Sequence, residues 1–263
     1  MALPARPPIQ RRQLLLGAAA ACLPLPGLAR IVYTPHELRE QYRREVSPRL
    51  AMPADEVRLY GGIAELQLYN VGHALVAPQY LLVIDGNPYV QAAMLFWRLL
   101  PGSYELVGAS PVSTSAPTAD RPGTVQGLFE QEPDDKVDAS CVRSCGRGRQ
   151  RIYDFDRQPP NQGLAARGAS DLRVQVRGAD RRAQHRLGAP CPDGCILLPA
   201  SLISFLDEYG ILDDAAPGRV QRHVLPYRGR HLMLVDSERE ERPEWSPAPR
   251  RLDSPRTVAR AGR

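Results

Sequence analysis

Lysine is almost absent from this chain, because Lys136 is the only lysine among 34 lysine and arginine residues. The arginines are scattered and form no basic stripe interleaved with aromatic residues, so we expect no nucleic-acid partner. The apolar run near the N-terminus is too short for a permanent membrane span. The sequence has no internal repeat and suggests no cofactor. What it does offer is 263 residues, enough for a sizeable core.

The first 29 residues have the pattern of an export signal. Arg11 and Arg12 precede an apolar run that extends to Ala21, and residues 27–29 (Gly-Leu-Ala) offer small side chains at a cleavage site. The paired arginines resemble those of a twin-arginine signal. The alternative is a disordered basic N-terminus. We therefore predict that residues 1–29 direct export, to a location that is periplasmic or faces the cell wall.

The next part of the chain, residues 30–236, is predicted to form one domain. Thr34 and Pro35 have the pattern of an N-cap followed by proline at the first helical position, and they predict a charged helix. Apolar runs separated by turn residues predict three antiparallel strands and several further strands. The predicted strands are Tyr80–Ile84, Tyr89–Leu100, Tyr104–Val112, Thr124–Phe129, Ile152–Phe155, Leu172–Val176 and His231–Val235, with a second helix over Ser201–Tyr209. Residues 237–263 are charged and Pro-rich, which predicts a disordered tail.

Four cysteines remain after the predicted signal, which contains Cys22, and they form two pairs of equal spacing. Cys141 and Cys145 make one C-x-x-x-C pair, and Cys191 and Cys195 make the other. In an oxidising compartment an even number of cysteines suggests disulfides. Four thiolates could instead bind a tetrahedral zinc ion, although this spacing is looser than the usual knuckle. A third reading keeps Cys195 as a reactive thiol.

Cys195 has the local sequence of a nucleophile. It follows Gly194 and precedes a short apolar run, after which Pro199 opens an amphipathic helix. A cysteine close to a helix N-terminus would be stabilised as a thiolate by the N–H groups there.

Several segments together resemble the catalytic domain of the L,D-transpeptidases. Val112-Ser113-Thr114 resembles that family's VSTG, Thr124–Phe129 its TPxGxF, and Tyr153-Asp154-Phe155 its WDF. The strongest match is Gly188–Leu212, where the cysteine, Pro199-Ala200-Ser201-Leu202 and Phe205-Leu206-Asp207 fall in register. The resemblance extends over most of residues 79–236.

The resemblance implies a mainly β fold, a β-sandwich or open barrel with a few flanking helices. It also implies a cysteine that attacks the carbonyl of a peptidoglycan stem peptide, expels the terminal D-alanine and holds a thioester until an amine takes the acyl group. Cys195 matches this nucleophile. Gly194 matches the small residue that lets substrate approach the backbone near the oxyanion site.

Three positions depart from the family's pattern. Arg177 stands where the family has the histidine base, and an arginine stays charged and cannot exchange a proton. Pro192 replaces a serine, and Leu197 replaces an arginine two residues after the cysteine. His185, ten residues before Cys195, is the candidate for a substitute base.

Two functions are therefore open at the level of sequence. In the first, the chain is an exported L,D-transpeptidase-like enzyme that acts on peptidoglycan stem peptides through Cys195, with weak activity. In the second, it is a catalytically impaired descendant that binds wall peptides or a partner, with its cysteines in disulfides or a zinc site.

Overall fold

The structure, a computed structural model, describes residues 31–70, 77–115, 125–131, 150–157, 173–191, 195–213 and 223–249. All of these belong to one compact unit. The predicted export signal, Cys141, Cys145, Pro192 and Gly194 lie outside the described residues.

Ten strands and three α-helices make up the described part of the chain. In chain order they are β1 (Ile31–Val32), α1 (Pro35–Glu45), α2 (Ala54–Asn70), β2 (Gln79–Asp85), β3 (Ala92–Leu100), β4 (Ser103–Pro111), β5 (Gly127–Gln131), β6 (Tyr153–Arg157), β7 (Arg173–Gly178), β8 (Ile196–Leu198), α3 (Ala200–Tyr209), β9 (His223–Val224) and β10 (His231–Val235). None of the helices within this part of the chain has both the length and the apolar character needed to cross a membrane.

Eight of the strands form one mixed sheet in the order β4-β3-β2-β10-β5-β6-β7-β8. The predicted meander of β2, β3 and β4 is antiparallel, as expected. Two neighbouring pairs, β2 with β10 and β7 with β8, are parallel. The short strands β1 and β9 pair separately. The mainly β class predicted from the sequence is thus confirmed.

Apolar side chains cover both faces of this sheet. Along β2, Tyr80, Leu82 and Ile84 belong to a large core with α1 and α3, whereas Leu81 and Val83 belong to a second core with α2. Strands that bury both faces are apolar throughout rather than alternating. At the far edge, β6, β7 and β8 bury one face in the large core, and their other face carries the cysteine site described below.

The predicted helix α1 begins as its sequence indicates. The Thr34 side chain accepts a hydrogen bond from the Glu37 backbone N–H, and the Glu37 carboxylate accepts one from the Thr34 backbone N–H, which completes a capping box with Pro35 at the start. Helix α3 ends at Gly210, whose left-handed backbone (φ 58°) closes the helix.

Helix α2 was not predicted from the sequence, because Gly61 and Gly62 weaken helix propensity in the middle of the segment. Tertiary packing forms the helix instead, and it buries Tyr60, Ala64 and Leu68.

The sequence predicted a disordered tail from residue 237. This prediction is wrong for residues 237–249, which pack against the domain. Trp245 and Ser246 are buried, and the Ser246 hydroxyl donates to the Val90 carbonyl oxygen. The Ser237 backbone N–H donates to Asp85, which also accepts from the Tyr60 hydroxyl at 2.5 Å. Burial raises the pKa of the Asp85 carboxyl. We call residues 236–249 the C-terminal strap.

Candidate active site

Strand β8, which directly follows Cys195, is held on both sides. Its parallel register with β7 places Val176 beside Ile196 and Arg177 beside Leu197. On its other side, Leu197 exchanges two backbone hydrogen bonds with Ser113, at 2.9 and 3.0 Å. The Val112-Ser113-Thr114 segment, which the family resemblance singled out, therefore lies directly beside the strand that follows the cysteine.

The Gln91 side chain holds the Val112-Ser113-Thr114 segment in place. Its side-chain carbonyl accepts from the Thr114 backbone N–H, and its amide donates to the Thr114 hydroxyl, each at 2.8 Å. Gln91 is fully buried and adopts a left-handed backbone (φ 48°), which is rare for a residue with a Cβ. The packed surroundings therefore hold Gln91 in a strained conformation from which both its amide atoms reach Thr114.

The loop between β7 and β8 folds back onto the other edge of the same segment. Gly188 donates its backbone N–H to the Val112 carbonyl oxygen, and Cys191 donates to that of Thr114, both at 2.8 Å. Earlier in the loop, backbone N–H groups of Ala183 and Arg182 hold the pKa of Asp180 below its usual value.

The C-terminal strap fastens this loop from outside. The Arg242 guanidinium donates to the carbonyl oxygens of Gly188, Pro88 and Ser246, at 3.0 to 3.1 Å. Burial lowers the pKa of Arg242. Since the strap was predicted to be disordered, sequence reasoning missed this support for the loop that carries Cys191.

The Cys195 side chain lies on the sheet face opposite α3. Side chains alternate along a strand, and Ile196 and Leu198 point into the large core, whereas Cys195 packs with Leu197, Leu187 and Ala179 in a small separate cluster. The expectation that a helix start stabilises the thiolate is therefore wrong. Helix α3 begins only at Ala200, beyond β8, and a helix dipole acts mainly within its first turn.

Cys191 shares the cluster with Cys195. Its Sγ lies 3.6 Å from the Cys195 carbonyl oxygen and 3.9 Å from that of Ser113. Neither cysteine is in a disulfide in this structure. In the part of the chain that is described, no group of three or more His, Cys, Asp or Glu side chains is arranged to hold a metal ion. The zinc alternative also required Cys141 and Cys145, which are outside that part.

Arg177 and His185, the two candidate partners of Cys195, lie in different environments. Arg177 is half-buried and, by its register with Leu197, projects from the same sheet face as Cys195. His185 is exposed in a short 3₁₀ turn, Gln184–Arg186, and no hydrogen bond among the described residues orients its ring. Arg177 thus lies on a strand of the cysteine face, whereas His185 lies exposed in the loop between β7 and β8, and its role as a substitute base stays a prediction.

Asp154, the middle residue of the WDF-like motif, lies on this face too. Asp154 of β6 pairs with Gln175 of β7, and its neighbours Tyr153 and Phe155 point into the large core. Asp154 therefore lies on the cysteine face, where it is 4% exposed. The signal was present in the sequence, because an aspartate between two aromatic residues of a strand must face the other way.

Comparisons with known proteins give few matches. No family model and no curated protein sequence matches the chain. Among solved structures it is similar to an L,D-transpeptidase from Mycobacterium smegmatis, with a TM-score of 0.30, 15% identity, and coverage of 60% of this chain and 59% of that one. It is also similar to the helical cell shape determining protein Pgp2 from Campylobacter jejuni, with a TM-score of 0.33, 14% identity, and coverage of 66% and 56%.

This chain spans less than two thirds of either of these proteins. TM-scores this low carry no argument about shared architecture or activity. The mainly β class rests on the eight-stranded sheet itself.

Proposed function

We propose that this chain is an exported protein related to the L,D-transpeptidases, in which Cys195 accepts the acyl group of a peptidoglycan stem peptide. The supporting observation is the register of β7 with β8, which puts Arg177 on the same sheet face as Cys195. In the proposed step, the Cys195 sulfur forms a bond to the stem-peptide carbonyl carbon. The bond from that carbon to the nitrogen of the terminal D-alanine breaks, and the proton that the thiol loses passes through solvent water to the departing nitrogen.

Arg177 sets the expected speed of this reaction. A guanidinium holds its proton and cannot pass one to the departing nitrogen. A positioned general base contributes roughly 10²–10⁴-fold to such reactions, so the acylation proposed here is slow.

Replacing Cys195 by serine is expected to abolish acylation by a carbapenem, the class of drug that the family resemblance implies as an acylating agent. Opening of the β-lactam ring by the thiolate adds the whole mass of the drug to the protein, since no group leaves. Intact-protein mass spectrometry detects this adduct, and peptide mapping locates it.

Cys191→Ser is the matched control, because Cys191 occupies the same apolar cluster as Cys195. It should keep the adduct. An adduct that persists in Cys195→Ser, or that maps to Cys191, would contradict the assignment of the nucleophile.

A second candidate function is binding of wall peptides without catalysis. It is favoured by Arg177 in place of a base and by the exposure of His185. In this case the reduced chain binds stem peptides but forms no adduct with either carbapenem or peptide, and Cys195→Ser leaves the affinity unchanged. Calorimetric titration with a stem tetrapeptide, run beside the mass measurement, distinguishes the two functions.

A further inference from the structure

Three side chains form a row across the cysteine face. Asp154 of β6 is paired with Gln175 of β7, and the parallel register of Val176 with Ile196, extended by one residue, places Gln175 beside Cys195. Residues paired in a sheet project from the same face. The row therefore runs Asp154, Gln175, Cys195, with a carboxylate at one end and the thiol at the other.

The carboxylate end of this row is buried without a full set of partners. Asp154 is 4% exposed, and no hydrogen bond reaches its buried Oδ1 within the described part of the chain. A carboxylate oxygen removed from water is unfavourable unless a donor satisfies it. We expect a ligand to supply the hydrogen-bond donor that the Asp154 Oδ1 lacks.

The spacing shows what Asp154 does not do. Neighbouring strands are about 4.8 Å apart, so two strand steps separate the backbones of Asp154 and Cys195 by about 10 Å. Direct proton transfer needs donor and acceptor within about 3 Å, so Asp154 is not the missing base for the thiol. The Gln175 side chain lies between the carboxylate and the sulfur, so a ligand group that reaches both would lie over Gln175.

Charge indicates the chemistry of the ligand group that would donate to Asp154. An ammonium has three donors and a positive charge, which suits a buried carboxylate with an unsatisfied oxygen. Arg177, two residues along β7 from Gln175, adds a positive charge to the same face.

We propose that Asp154 binds the ammonium group of the acyl acceptor, an amino acid or peptide amine. This inference rests on the proposed function for its chemical consequence. The Asp154 carboxylate takes one proton from the ammonium, and the neutral amine nitrogen forms a bond to the thioester carbonyl carbon. The carbon–sulfur bond breaks, the sulfur takes the second proton released by nitrogen, and an amide and the Cys195 thiol result.

Binding is tested first without any reaction, in the full chain carrying Cys195→Ser. D-Alanine and D-lactate share a carboxylate and a methyl group, and they differ in the ammonium that D-lactate lacks. Saturation-transfer NMR titrations should give at least about tenfold tighter binding of D-alanine, the scale of one charged hydrogen bond. Equal binding of the two probes overturns the proposal, with no change made at Asp154.

Asp154→Asn should then remove the preference for D-alanine, and Asp156→Asn should keep it. Asp156 is on the same strand and face, but its side chain is 41% exposed and pairs with Arg173 at 3.2 Å. A preference that survives Asp154→Asn, in protein whose thermal unfolding matches the parent, overturns the assignment. Should Asp154→Asn fail to fold, the comparison of the two probes still decides the proposal.

A second readout separates this proposal from the proposed function. Carbapenem acylation of Cys195 should proceed at the same rate in Asp154→Asn, because that step uses no amine. Loss of D-alanine binding with acylation intact supports the acceptor site. Absence of acylation in the parent chain, with D-alanine still preferred, removes the transpeptidase proposal and leaves the ammonium site standing.

Discussion

Replacing Arg177 by histidine is expected to accelerate acylation of Cys195 by about 10²-fold, the lower end of what a positioned general base contributes. The register of Arg177 with Leu197 puts residue 177 on the cysteine face, so an imidazole there is directed toward the thiol's side of the sheet. A neutral histidine can take the thiol proton and return it to the departing nitrogen, which a guanidinium cannot do. The rates are obtained from carbapenem adduct formation, measured by mass spectrometry of samples quenched at successive times.

Arg173→His is the matched control for this substitution. Arg173 lies on the same strand and the same face, but it is exposed and pairs with Asp156 away from the cysteine. It should leave the rate unchanged. An Arg177→His rate equal to that of Arg177→Ala would show that residue 177 is not in the position of a base.

Replacing Gly229 by alanine is expected to lower the free energy of unfolding by about 3 kcal/mol or more, as overpacking of a backbone contact does. A Cβ at residue 229 would overlap the carbonyl oxygen of Tyr80 in β2. That oxygen belongs to the backbone and cannot rotate away, and Gly229 is itself fixed by its N–H, which donates to the Ile211 carbonyl oxygen at 2.7 Å. The segment before β10 would have to move off the sheet.

Gly62→Ala gives the opposite expectation and serves as the control. Nothing lies within 4 Å of a Cβ at residue 62, in the middle of α2. Alanine there should raise the free energy of unfolding by about 1 kcal/mol through helix propensity. Urea denaturation of both variants tests the pair, and a Gly229→Ala midpoint equal to that of the parent would contradict the close approach to Tyr80.

Local signals in the sequence predicted the elements that such signals control. The capping box at Thr34 and the glycine stop at Gly210 are encoded within a few residues, so α1 and α3 were predictable. Helix α2 has acidic residues in its first turn but no capping box, and it carries two glycines. It forms because the sheet buries one side of it. Gly61 packs against the Tyr104 ring, a contact that only the fold creates.

The candidate site also has parts that the sequence predicts and parts that only the fold creates. Cys195 and the changed base position at Arg177 could be identified from motif order alone. The electrostatic surroundings of the thiol could not, because β8 separates it from α3 and turns it to the opposite face. Arg242 reaches the site through the strap, a contact between residues far apart in the sequence. The face of Asp154 could be predicted from its aromatic neighbours, but its pairing with Gln175 could not.

The most direct measurement is intact-protein mass spectrometry of the reduced chain incubated with a stem tetrapeptide that ends in D-alanine. The predicted result is a slow gain equal to the tetrapeptide mass less one D-alanine, mapped to Cys195, reversed by hydroxylamine and absent in Cys195→Ser. An unchanged mass in protein that still carries a titratable thiol at Cys195, under conditions where Arg177→His also remains unmodified, would contradict the role of Cys195 as an acyl acceptor.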